Sequence, residues 1–155
     1  MLSEHISIPV RPDRDRSATI GASELGKCAR LVAFSRLHNV DSEPSGYAER
    51  GHWVERWWVA RLRESPIGHK VRYAGAQQRT ISYGPLSATP DAIIGGDEAA
   101  ADCKSIDPRV REVPKPEHVL QVRLTARMAG CKAAVLNYVD ASSFEFVEHV
   151  FVEQD

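Results

Sequence analysis

Asp91, Asp102 and Lys104 are the residues of this chain whose types and spacing could do chemistry. Asp102 and Lys104 stand two apart, so on a β-strand they point to one face while Cys103 points to the other. Asp91 lies in Ser87-Ala88-Thr89-Pro90-Asp91-Ala92-Ile93-Ile94, ahead of the turn residues Gly95-Gly96-Asp97. Ala88 to Ile94 and Ala99 to Ile106 are therefore expected to pair as a hairpin, with Asp91 beside the other two. Charges within small and apolar residues must pair or bind a metal. A carboxylate on each strand with a lysine alongside suits one hard cation and a group that holds or polarises a water. A solvated hairpin with a surface ion pair would carry the same three residues.

The elements that position them belong to a chain of 155 residues, enough for one domain with a real core. Its 43% hydrophobic and 26% charged residues are ordinary for a soluble globular protein. Twenty Lys and Arg face 21 Asp and Glu, a net charge of -1, so any polyanion site must be a local basic patch. No apolar run approaches the ~20 residues of a membrane span. Met1-Leu2-Ser3-Glu4-His5 has no signal-peptide layout. The odd, scattered set Cys28, Cys103 and Cys131 points to reduced thiols and a cytoplasmic setting. Three cysteines also fall short of the four thiolates usual for an iron–sulfur cluster, so none is expected.

Residues 1–19 read as a mobile arm of mixed charge, and residues 20–155 as a single domain. A first helix is expected from Ala22-Ser23 to Leu37, capped by Ser23, with Cys28 a small hydrophobe on its inner face. A second is expected from about Tyr47 to Arg63. Tyr47, Gly51, Val54, Trp58 and Leu62 share one face, and Glu55 lies in the middle of it. That carboxylate needs a partner. It could be a ligand aimed at the sheet or half of a salt bridge; alternatively the helix is rotated, with Trp53 and Trp57 inward. Lys70 to Ser82 reads as strand material. Arg109 to Lys115 is a Pro-flanked basic loop, with Arg109, Arg111 and Lys115 leaving the strand of Lys104 to face a nucleic acid. A third helix is expected from Pro116-Glu117 to Ala129, closed by Gly130. Gln121 shares its inward stripe with Leu124, Thr125 and Met128, as a core glutamine or a site residue. Ala133 to Val139 and Phe144 to Val152 read as strands.

The order helix, helix, strand, strand, strand, helix, strand, strand describes an α/β (α+β) fold, a small mixed sheet flanked by helices. Pro90-Asp91 and Asp102-Cys103-Lys104 resemble the core motif of the PD-(D/E)XK nuclease superfamily. The likeness is greatest to its RecB-like and phage-exonuclease branch, and it runs from about Ile20 to Val152. Ile20-Gly21-Ala22-Ser23-Glu24-Leu25-Gly26-Lys27-Cys28 is similar to that branch's opening helix. Gly51-His52-Trp53-Val54-Glu55 is similar to its Gly-x-x-x-His/Glu helix. Pro116-Glu117-His118-Val119-Leu120-Gln121 is similar to the helix with its characteristic Gln. Two features depart from it: Thr125 stands where the branch often has Tyr, and only Cys28 stands near a position of the iron–sulfur members' cysteines.

The resemblance implies a restriction-endonuclease-like core. It implies Glu55, Asp91, Asp102 and the main-chain carbonyl of Cys103 as ligands of Mg²⁺ or Mn²⁺. Lys104 would orient or polarise a water, and Gln121 would position water or phosphate near it. His52 and His118 are expected to be peripheral. The expected activity is metal-dependent DNA hydrolysis by an exonuclease in recombination, repair or phage DNA processing, with DNA as partner and a helicase, recombinase or other subunit beside it. Two other classes carry the same fold: a catalytically silent DNA-binding module, marked by a broken ligand set, and a subunit of a larger nucleoprotein complex, marked by an uncovered apolar face.

Overall fold

The computed structural model describes residues 19–38, 45–96, 98–107, 109–110 and 112–152. The expected arm, apart from Thr19, and Asp97 and Arg111 lie outside the described residues. Among the described residues eight strands and three α-helices follow in chain order: β1 (Ile20–Gly21), α1 (Ala29–Leu37), α2 (Gly46–Glu64), β2 (Val71–Arg72), β3 (Ile81–Tyr83), β4 (Leu86–Ala88), β5 (Ala92–Ile94), β6 (Ala99–Ile106), α3 (Pro116–Met128), β7 (Ala133–Asp140) and β8 (Phe146–Val152).

The main sheet has five strands in the order β2-β5-β6-β7-β8, with β6 and β7 parallel and the other pairs antiparallel. A smaller mixed sheet runs β1-β4-β3. Alternation along β6 and β7 builds two cores. Ala101, Cys103, Val135 and Val139 face α2 and pack with its Val54, Trp58 and Val59. Ala100, Ala134, Leu136 and Tyr138 face the other way, onto Val122 and Ala126 of α3. Each fully buried aliphatic side chain contributes about 1.5–3 kcal/mol. The parallel pair needs a crossover, and α3 is that crossover; it covers the first half of β6, while Lys104 and Ile106 towards its end are only partly buried.

The hairpin turn, β6, α3 and β7 form as expected. Gly95 and Gly96 both take positive φ, 69° and 78°, in the turn where side chains would be strained. Three other expectations are corrected. The first helix is broken: Ala22–Glu24 is a single 3-10 turn, and α1 starts only at Ala29. Between the two, Gly26 passes against α3, where a Cβ would lie 2.4 Å from Glu117 Cβ, so the chain crosses there as bare backbone. Ser23 therefore caps nothing, Cys28 holds the cap position without a side-chain bond, and it is exposed rather than buried.

Ala88 to Ile94 is likewise not one strand. It breaks at Pro90-Asp91 into β4 and β5, which belong to different sheets. Proline lacks the N–H that a continuous ladder needs. Lys70 to Ser82 is also divided, with β2 and β3 separated by a turn in which Tyr73 and Gly75 take positive φ. No helix among the described residues is long and apolar enough to cross a membrane.

Candidate active site

Three elements and one turn meet at Asp91. The Pro90-Asp91 break lifts Asp91 out of the ladder just ahead of β5, while its N–H still donates to the Ala101 carbonyl at 3.0 Å. Its side chain stays free to turn inward. Asp91 Oδ2 accepts the Cys103 backbone N–H at 2.8 Å, which places it between Asp102 and Lys104 in height along β6. On the α3 face of β6, Lys104 Nζ lies 2.7 Å from Asp102 Oδ2, and Gln121 Nε2 donates to Asp102 Oδ1 at 3.2 Å. Gln121 is thus held by a carboxylate and is not a core amide satisfied by backbone.

Glu55 comes from the opposite layer. Val54 and Trp58 are buried against the sheet, and this orients α2 so that Glu55 reaches the site edge. Trp53 is 63% exposed while Trp57 packs half-buried beside the core, and Tyr47, expected on the inner face, is 77% exposed, so the buried stripe runs through Val54, Trp58 and Val59. No arginine pairs with Glu55 among the described contacts; His52 Nδ1 lies 3.8 Å from Oε2. The main partner is Gln78. Its Nε2 donates to Glu55 Oε1 at 2.8 Å and to Asp91 Oδ1 at 3.0 Å.

The constellation therefore has two halves, Glu55–Gln78–Asp91 and Gln121–Asp102–Lys104, joined through the Cys103 amide. Gln78 was not singled out in the sequence. Its bond to Glu55 spans 23 residues, and the turn that aims it replaces a predicted strand. A polar amide in a segment of irregular alternation was the available signal.

The electrostatics follow from this packing. Burial, then the negative charges of Asp102 and Glu55, raise the Asp91 carboxyl well above the usual carboxylate range. Burial works to lower Lys104, but the charge and hydrogen bond of Asp102 outweigh it, and the ammonium is held protonated. Burial, then the charges of Asp91 and Asp102, push the Cys103 thiol upward, towards its neutral form. His118 is lowered by burial and by Lys104; its Nδ1 lies 2.9 Å from the Tyr138 hydroxyl, which also accepts the Lys115 N–H at 2.9 Å.

These residues suit a hard divalent cation by chemistry. Every donor is an oxygen. Asp102 Oδ2 is buried and, beyond its contact with Lys104, has no well-directed hydrogen bond. Lys104 pairs with Asp102 and also acts on Asp91, while Glu55 is met by Gln78 and His52. Even so, among the described residues no three His, Cys, Asp or Glu side chains close into a ready cage. The Gln78 amide lies between two of the acids.

The basic loop is only partly as expected. Arg109 is 89% exposed and folded back on Asp107, with Nε 2.8 Å from Oδ1 and a second bond of 2.9 Å to Oδ2. Arg109 and Lys115 line an open cleft of about 620 Å³ with Val110, Glu112, Pro114 and Pro116.

No protein-family model matches the chain, and no curated protein matches it in sequence. Solved structures do. The crystal structure of SSO0001 superposes with a TM-score of 0.69 at 18% identity, covering 98% of this chain and 73% of that one. An alkaline exonuclease, LHK-Exo from Laribacter hongkongensis, superposes at 0.59 and 16% identity, covering 90% of this chain and 79% of that one. Its complex with dAMP gives the same score and identity over 90% and 80%. At such identities the likeness establishes the fold: a mixed α+β, restriction-endonuclease-like architecture with helices flanking its sheets, similar to that of an alkaline exonuclease.

Proposed function

We propose that this protein is a Mg²⁺- or Mn²⁺-dependent DNA nuclease that removes nucleotides from DNA ends. The observation that carries the reading is the junction at Asp91. Three carboxylates from α2, the β5 bend and β6 interact there, with one protonated lysine beside them, on a fold similar to that of an alkaline exonuclease. Glu55, Asp91, Asp102 and the Cys103 carbonyl would hold the ion. When bound, such an ion supplies Lewis acidity and offsets phosphate charge. Asp102 and Gln121 fix the position of Lys104, whose ammonium orients a water and stabilises negative charge as the phosphodiester opens. Lys115, Arg109 and Arg111 would meet the DNA backbone, with Arg109 exchanging Asp107 for phosphate. Labelled linear and circular DNA, each with Mn²⁺, tests the reading. Linear DNA should shorten from its ends and circular DNA should persist; loss of the circle would make the enzyme an endonuclease.

One observation favours a second role beside this one, as a subunit of a larger assembly. No residue of α1 is buried, and Leu31, Phe34 and Leu37 are 59%, 55% and 81% exposed.

A further inference from the structure

Gln78 is placed with more care than a surface amide requires. The turn that carries it is tied down on both sides. Ala74 is fully buried in the α2-side core, and its carbonyl accepts from Arg63 at 2.9 Å. Gly75 makes the reversal at φ 61°. Arg79 lies over the Tyr73 ring at 4.7 Å. From this anchored turn one nitrogen, Nε2, reaches two carboxylates at once. One amide nitrogen carries two N–H groups, enough to donate one to each acid. It is neutral, so it bridges the acids without cancelling their charge.

A cation shared by Glu55 and Asp91 would occupy the point where this nitrogen sits. Mg²⁺–oxygen distances are about 2.0–2.1 Å, shorter than either bond to Gln78, so one ion draws the acids closer than the amide allows. We propose that the Gln78 amide is a stand-in for the cation, bridging Glu55 and Asp91 in the metal-free protein and withdrawing when the ion enters. The inference rests on the metal-dependent reading above. With the backbone of the turn anchored, the withdrawal is a side-chain swing. Gln78 then keeps the empty site from flying apart and sets a threshold for loading, because the ion must compete with a closed state.

Gln78→Met keeps the length of the side chain and removes both donors; Gln78→Ala leaves room for water. In both, the metal-free melting temperature should fall, Mn²⁺ measured by calorimetry should bind about ten-fold tighter because the competing state is gone, and the melting temperature at saturating Mn²⁺ should match that of the unaltered protein. Gln78→Lys, a permanent cation, should shift the first two the other way: metal-free melting higher, Mn²⁺ binding weaker. A residue that only orients the ligands would instead give weaker Mn²⁺ binding in Gln78→Met and Gln78→Ala. Mn²⁺ binding that is unchanged or weaker in Gln78→Met and Gln78→Ala, while the unaltered protein binds normally, overturns the inference and leaves the nuclease reading standing. Absence of Mn²⁺ binding by the unaltered protein overturns both.

Discussion

Asp102–Lys104 and Asp107–Arg109 are both carboxylate–cation pairs two residues apart, on β6 and on the loop that leaves it, with closest contacts of 2.7 and 2.8 Å. Their lengths would rank them equal. Their surroundings separate them. The Asp102 and Lys104 side chains are 6% and 23% exposed, under α3 and against a second acid, whereas Arg109 is 89% exposed. In the first pair each charge depends on the other, because a lone buried charge is costly. In the second, water takes up whatever the partner drops. In the proposed function the buried pair would hold a fixed charge for chemistry, and the exposed pair would exchange its partner for a phosphate.

Breaking the buried side should have the largest effects. Asp91→Ala removes the junction of the two halves, and metal-dependent cleavage in single-turnover assays should fall at least about 10³-fold with the domain still folded. Undiminished cleavage would remove Asp91 from the site. Lys104→Ala should leave Mn²⁺ binding largely intact and slow cleavage by about 10²–10⁴-fold. In the metal-free protein it should also cost about 3 kcal/mol in denaturant unfolding, because Asp102 is left buried and unpaired. Lys104→Arg should recover little, since a planar fork does not fit the place of a compact ammonium. Loss of Mn²⁺ binding as complete as in Asp102→Ala would mean that the lysine holds the site together instead.

Glu55→Gln tests the α2 half. The shape and the acceptor for Gln78 remain, so the metal-free melting temperature should hold or rise as repulsion among the acids is relieved, while Mn²⁺ affinity falls. Lower metal-free stability with unchanged metal binding would return Glu55 to a structural role.

The exposed side should give the smallest changes. Arg109→Ala should leave melting nearly unaltered and lower DNA affinity modestly, with the salt slope reduced by about one. The hydrogen bonds from Arg109 hold the Asp107 carboxyl well below its ordinary range. A depressed carboxylate contributes stability above its unfolded pKa of about 3.9 and loses it as pH falls through the folded value. Comparing Asp107→Asn with the parent should therefore show no difference in melting that changes from pH 5 to pH 9, and convergence only in strong acid.

The same contrast explains what could be read from the sequence. Asp102, Lys104 and Gln121 were readable because strand and helix periodicity place them directly, and β6 and α3 formed where expected. Asp91 was readable as a residue but not as geometry; its reach depends on the break at Pro90, which divides what looked like one strand. Glu55 was readable only as an anomaly on a helical face, and its rotation was decided by how Val54 and Trp58 pack. Gln78 and the Gly26 crossing over Glu117 were not readable. Both are close approaches between segments remote in the chain, and no local period encodes them.

In the function proposed above, the carboxylates meeting at Asp91 would hold the cation on which DNA cleavage depends. The most direct measurement is single-turnover digestion of end-labelled linear DNA by the unaltered protein and by Asp91→Ala, each with Mn²⁺ and with EDTA. Product should form only with the unaltered protein and Mn²⁺. Equal product in EDTA, or from Asp91→Ala, would contradict it.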